Sequence, residues 1–262
     1  MTTMRPSTLT PGLCSVTFRT LDVMDVARRA RSAGLHTVEW GTDVHVPLDD
    51  VAAQERVRAI AADDGPAVAS LGTYYRADAT GTGDPTTVVR AAQRAGAPRV
   101  RVWAGSTGSI DATRSEREDV IARLRDMAAV AADIYPMLTI GIELHAGTLA
   151  DSETTAARLL DDIDRETVGS YWQPGIGVPD EVALDGLRLL RERVVAVHAF
   201  SWWPANERHP LSARGEFWRD VFAVLQEQAR PTDVLLEFVP DDDPAILPDE
   251  AATLRQLIEE AR

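Results

Sequence analysis

Short apolar, β-branched runs alternate with amphipathic helical patterns along the whole chain, and no other feature restricts the fold as much. Eight runs read as strands: GLCSVTF (12–18), HTVEWG (36–41), PAVASLGT (66–73), RVRVWAG (99–105), LTIGIELH (138–145), VGSYWQP (168–174), VVAVHAF (194–200) and DVLLEFV (233–239). Apolar residues three and four apart mark the helices between them, as in LDVMDVARRARSAG, DVIARLRDMAAVAADIY and DEAATLRQLIEEAR. Gly34 follows the first of these, where a left-handed residue commonly ends a helix. Strands each followed by a helix make a parallel sheet, and eight such units in 262 residues fit one closed (β/α)8 TIM barrel. An open doubly wound sheet would carry fewer strands and a glycine-rich phosphate turn after the first. TFRTLD stands there instead, and GSTGS (105–109) lacks the fingerprint spacing. No linker, repeat or low-complexity segment divides the chain, so residues 1–262 are expected to form a single α/β barrel domain.

Several functions fall away on composition. All 27 basic residues are arginine. Without lysine there is no Schiff-base chemistry, no anchor for pyridoxal phosphate and no P-loop. A net charge of −14 argues against a nucleic-acid backbone as partner. No apolar run approaches the ~20 residues of a membrane span, and the opening MTTMRPSTLTPG is polar. The single cysteine, Cys14, has no intrachain disulfide partner and reads as a core residue, which fits a reducing cytoplasm.

In such barrels chemistry collects at the C-terminal ends of the strands. Strand two ends in Glu39 and Trp40, with Asp43 and His45 in the loop beyond. Strand three ends in Tyr74, Tyr75 and Arg76, and strand four carries Arg101 and Trp103. Glu143 and His145 end strand five on one face, since residues two apart in a strand point the same way. Trp172 and Gln173 end strand six. His198 ends strand seven, followed by Trp202, Trp203, Arg208 and His209, and Glu237 ends strand eight. Four of five histidines and five of six tryptophans thus gather at one rim, which marks a pocket. Aromatic faces stack on the C–H faces of polyols while arginine, histidine and acids take hydroxyls. Trp103, Trp172 and Trp202 or Trp203 are expected to line it, with Trp218 left to packing. Two carboxylates, an imidazole and an amide from strands five to eight can converge on one divalent ion. That oxygen-rich set suits Mn²⁺, Mg²⁺ or Co²⁺ better than structural zinc, with Zn²⁺ the remaining option.

The segments VEWGTDVHVP (38–47), LGTYYR (71–76), VRVWAGSTGS (100–109), IELHAGTL (142–149), YWQP (171–174), VHAFSWW (197–203) and LLEFV (235–239) resemble the sugar phosphate isomerase/epimerase group of xylose-isomerase-like TIM barrels. The resemblance runs through nearly the whole chain, in order. It implies a divalent metal at the barrel mouth, held by Glu143, Gln173, His198 and Glu237. Gln173 stands where the family usually has Asp, and Ile176 stands where a substrate-holding histidine is often found.

The function expected from these readings is a metal-dependent sugar isomerase or epimerase. A ketose, sugar or polyol derivative would react by proton transfer through a stabilised enediolate, with Glu143 and Glu237 as the acid/base pair. Glu39, His45, Tyr74, Arg101, Trp103, His145, Trp172, Trp202 and Arg208 are the expected substrate contacts; His145 would touch a hydroxyl or orient Glu143. Two alternatives stay open: a metal-dependent dehydratase acting on a hydroxyketone, and a non-catalytic polyol-binding barrel. An apurinic endonuclease would need many more histidines and a basic face. The absence of lysine and of an anion cradle favours an unphosphorylated substrate, with Arg76 and Arg208 the only candidates for one. Homo-oligomerisation is left open by the sequence.

Overall fold

The computed structural model describes residues 7–79, 83–228 and 230–262; residues 1–6 of the polar opening segment lie outside them. Eight parallel strands close a barrel: β1 (Leu9–Cys14), β2 (Thr37–Gly41), β3 (Ala67–Arg76), β4 (Arg99–Trp103), β5 (Thr139–Glu143), β6 (Val168–Trp172), β7 (Val194–Ala199) and β8 (Thr232–Leu236). Each strand is followed by a helix: α1 (Val23–Ser32), α2 (Val51–Ala62), α3 (Pro85–Ala95), α4 (Arg114–Ile134), α5 (Glu153–Ile163), α6 (Asp180–Leu190), α7 (Gly215–Gln226) and α8 (Leu247–Glu260). Strands pair in sequence order, and β1 pairs with both β2 and β8 to complete the ring. The expected (β/α)8 barrel is the observed fold.

Helix starts follow ordinary capping chemistry. Asp22, Asp50, Asp84, Thr113 and Ser152 each accept a backbone N–H from the first turn that follows. Gly34, at φ 73°, turns the chain after α1 as its position in the sequence suggested. Among the described residues no helix is long and apolar enough to cross a membrane.

The main core lies between strands and helices, where outward-facing residues such as Ile140, Ile142, Val197 and Trp172 meet buried helical leucines and valines. Inside the barrel the fill is layered, as the fold requires. Arg99 pairs with Asp233 at 3.0 Å in one layer. Ala69, Tyr171, Ala196 and Leu235 pack together as a small separate cluster. Beyond them come polar groups: Cys14, Glu39, Arg101, Glu143, His198 and Glu237, all buried. Two glycines make room. A Cβ on Gly141 would lie 2.7 Å from Tyr171 Cδ2, and one on Gly72 would lie 2.7 Å from Glu39 Oε1.

The first strand departs furthest from its expected span. The first was read over 12–18, but β1 ends at Cys14 and Ser15–Phe18 form a 3₁₀ turn. Ser15 Oγ accepts the Gly41 N–H at 2.9 Å, and Thr17 Oγ1 accepts the Phe238 N–H at 3.0 Å. These bonds fold the apolar run over the barrel mouth instead of extending it, and Val16 joins the wall of the cavity there.

Candidate active site

A cavity of about 450 Å³ opens at the C-terminal ends of the strands. Its polar floor includes Arg101, Glu143, Gln173 and Glu237, and Tyr74, Trp103, His145 and Trp202 rise around it. Alternation along each strand delivers these groups. Glu143 continues the inward face of Gly141, Gln173 that of Gly169 and Tyr171, and His198 that of Ala196.

His198 is the hub. Its Nδ1 lies 3.1 Å from Gln173 Oε1, 3.4 Å from Glu237 Oε2 and 3.9 Å from Glu143 Oε1. Its other nitrogen, Nε2, lies 3.3 Å from Glu39 Oε1. The four side chains expected to share an ion therefore do converge, and they do so on the Nδ1 side of the imidazole. Gln173 Nε2 donates to Leu144 O at 2.8 Å, which fixes the amide with its oxygen toward the cluster. Glu143 Oε2 accepts from Arg101 and from the Trp103 indole, leaving Oε1 directed at His198.

Charge in this pocket is unbalanced. Three buried carboxylates, Glu39, Glu143 and Glu237, face one guanidinium, Arg101, which binds Glu39 at 3.1 Å and also Glu143. Burial works against ionising Glu39, yet Arg101 and His198 hold it well below the usual carboxylate range. Burial likewise opposes charge on Glu143, and Arg101, His198 and His145 overcome it. For Glu237 burial wins, helped by Glu143 and Glu39, and its carboxyl is pushed up. Burial disfavours the imidazolium of His198, but Glu237, Glu39 and Glu143 outweigh it and raise its pKa to about 9. With His198 neutral, the remaining charge would match one divalent cation. Oxygen donors on three sides of a ring nitrogen, with Glu39 accepting from the other nitrogen, suit such an ion.

Four expected substrate contacts lie elsewhere. Trp172 points outward from β6, fully buried against Trp218, with its indole N–H on Glu153 Oε1 at 3.3 Å. Strand alternation explains this: once Gln173 faces in, its neighbour must face out. His45 bonds Leu21 O at 3.1 Å and packs edge-on against Trp40, so it secures the loop after β2. Arg208 pairs with Asp242 and lies 4.5 Å over the Phe238 ring, behind the cavity wall. Glu39 sits beneath the floor, holding Arg101 and His198 and accepting from Ser70 at 2.6 Å. Of the five tryptophans placed at the rim, only Trp103 and Trp202 line the cavity. Trp218 is buried, as expected.

Trp103 anchors one wall. Its ring stacks against His145 at 4.7 Å, meets Tyr74 edge-on at 5.3 Å and carries the Arg76 guanidinium at 4.1 Å. His145 bonds Ala146 O through Nδ1 at 2.8 Å and reaches the cavity beside Trp103. The opposite wall is apolar: Ile176, Val178, Phe200, Trp202 and Phe238. Phe238 holds φ 53°, a left-handed conformation rare for a bulky residue, directly after Glu237.

Sequence reading missed two residues of the interior. Tyr171 hydroxyl lies 3.2 Å from Ser70 Oγ, and its ring packs 4.7 Å from His198. Cys14, read as core, sits at the floor beside Glu39, His198 and Glu237. Parity along YWQP would have found the first. The second depended on where β1 ends.

The profile of the xylose isomerase-like TIM barrel family matches residues 27–257. Solved structures of similar fold include the probable 3-DHS dehydratase AsbF of Bacillus anthracis, 16% identical with a TM-score of 0.74, covering 94% of this chain and 98% of that one. An L-ribulose 3-epimerase is 15% identical with a TM-score of 0.71, covering 96% and 95%. A xylose isomerase-like TIM barrel protein from Mycobacterium smegmatis, in complex with magnesium, is 15% identical with a TM-score of 0.65, covering 94% and 92%. A search among curated proteins finds no match.

Proposed function

Since the chain belongs to the xylose isomerase-like TIM barrel family, we propose that it is a divalent-metal-dependent isomerase or epimerase acting on an unphosphorylated hydroxyketone, a sugar or polyol derivative. The observation that carries this reading is the ring of oxygens around His198 Nδ1, supplied by Glu143, Gln173 and Glu237 from three different strand ends. Those four residues would hold the ion. When bound it would polarise a carbonyl and an adjacent hydroxyl, lowering the cost of charge on oxygen.

The chain's own residues do the rest. Glu143, with Oε2 engaged by Arg101 and Trp103, presents Oε1 to the cavity as the base that removes a proton beside the carbonyl. Glu237, also on the cavity floor, returns a proton from another direction. Return to the opposite face of the same carbon gives an epimer; return to the neighbouring carbon gives an isomer. Trp103 supports the C–H face of the substrate, and the walls keep bulk water from the enediolate.

Support for an unphosphorylated substrate comes from the arginines. Arg101 is committed to Glu39 and Glu143, and neither Arg76 nor Arg208 lines the cavity. Among the described residues lining the cavity, a phosphate would face carboxylates and no arginine free of them.

The apolar wall of Ile176, Val178, Phe200 and Phe238 favours a second reading as well. A substrate with few hydroxyls could lose one by β-elimination from the same enediolate, making the protein a dehydratase. Incubating the Mn²⁺-loaded protein with a panel of ketoses and cyclic hydroxyketones separates the two. New epimers or aldoses seen by NMR support the first reading. A product absorbing in the near ultraviolet, as an unsaturated ketone does, supports the second. No turnover across the panel with metal-saturated protein would leave a polyol-binding barrel.

A further inference from the structure

His198 has a second face, and it is also surrounded by donors. On the Nε2 side lie Glu39 Oε1 at 3.3 Å and Cys14 Sγ at 3.9 Å. Cys14 Sγ is in turn 3.4 Å from Glu39 Oε1 and 3.9 Å from Glu237 Oε1. Glu237 spans both faces, with Oε2 toward Nδ1 and Oε1 toward the thiol. Cys14, His198 and Glu237 each bring a donor atom within 4.8 Å of the others, and all three are buried.

We propose that Cys14, Glu39, His198 Nε2 and Glu237 form a distinct thiophilic cation site beneath the cavity floor, suited to Zn²⁺. Metal–ligand bonds of ~2.0–2.3 Å in a tetrahedron set neighbouring donors roughly 3.3–3.6 Å apart. Four of the six donor pairs stand at 3.3, 3.4, 3.9 and 3.9 Å, within a few tenths of an ångström of that spacing. The one sulfur donor selects a soft or borderline ion over Mg²⁺ or Mn²⁺, which the all-oxygen-and-imidazole face above does not do.

Proton balance closes, and charge comes to within one unit of doing so. On binding, the Cys14 thiol proton leaves to solvent by way of Glu237, 3.9 Å from Sγ and on the cavity lining. His198 binds through the Nε2 lone pair while Nδ1–H donates to Gln173 Oε1 at 3.1 Å. The thiolate, Glu39, Glu143 and Glu237 then supply four negative charges against two from the ion and one from Arg101, which pairs with both Glu39 and Glu143. The cluster thus keeps one net negative charge that holds the cation in place. Glu237, which also lines the cavity, gives the ion a way in. Because this tautomer keeps Nδ1 protonated, an ion on the floor withdraws His198 from the set above it.

The site stands on these contacts alone and does not require the proposed reaction. Cobalt titration of the full chain under anaerobic conditions, without thiol reductants, tests it. A thiolate-to-cobalt charge-transfer band in the near ultraviolet is expected for the wild-type chain and should vanish in Cys14→Ser, with Zn²⁺ affinity at least tenfold weaker. Circular dichroism and a Cys14→Ala variant check the fold, and the wild-type spectrum decides even if both variants unfold. Bound Co²⁺ with no charge-transfer band, and affinity unchanged by Cys14→Ser, overturns the floor site while leaving the upper one intact. No Co²⁺ binding of any kind overturns both.

Discussion

Gln173 turns its amide oxygen toward His198: Oε1 lies 3.1 Å from Nδ1, while Nε2 donates to Leu144 O at 2.8 Å. That orientation marks the amide as an oxygen donor to whatever occupies the Nδ1 face. It supplies no charge, however, where a carboxylate would. Gln173→Glu keeps the reach and adds a negative charge, so Mn²⁺ affinity should rise by about tenfold, ~1.4 kcal/mol. Isothermal titration reads this; unchanged or weaker affinity would mean that Gln173 serves the substrate instead.

The pH dependence of stability follows from His198. Its pKa stands at about 9 in the folded protein against 6.5 for the free group. A raised value stabilises the fold fully below pH 6.5, and that contribution is lost as pH rises through 9. The loss is at most on the order of 3 kcal/mol. Chelator-treated protein should therefore melt progressively lower across this range, and His198→Asn should flatten the trend. A saturating divalent ion, which needs a deprotonated nitrogen, should flatten it too.

Two tryptophans near the same rim should behave oppositely. Trp172 is sealed between β6 and α7, so Trp172→Ala should cost ~3–5 kcal/mol of stability. Trp103 faces the cavity and donates to Glu143. Trp103→Ala should weaken ligand binding by ~1–3 kcal/mol with a smaller change in melting temperature. Chemical denaturation beside ligand titration of both variants checks the contrast; the reverse ranking would put the cavity wall in the wrong place.

Much of the barrel could be read from the chain because period-two strands and amphipathic helices announce themselves locally. The convergence of Glu143, Gln173, His198 and Glu237 was legible for the same reason, since each ends an inward-facing strand row. Trp172 departs from the expected aromatic wall because strand parity forbids Trp172 and Gln173 from sharing a face, a constraint that composition does not carry. His45 and Arg208 lie in loops, where no periodicity fixes direction; their Leu21 and Asp242 partners are set by tertiary contacts. Cys14 reads as a core residue because an apolar neighbourhood hides that its strand end carries it toward the site. Only the turn at Ser15–Phe18 reveals that.

Solvent-deuterium labelling is the most direct measure of the proposed chemistry. In D₂O, Mn²⁺-loaded wild-type protein should place deuterium on the carbon beside the carbonyl of an accepted hydroxyketone, as read by NMR. Glu143→Gln and Glu237→Gln retain a donor oxygen but not the proton-transfer role, and each should slow labelling by at least ~100-fold at full metal occupancy, within the usual range for general acid–base catalysis. Labelling at the wild-type rate in metal-saturated Glu143→Gln or Glu237→Gln would contradict proton transfer by this pair of glutamates.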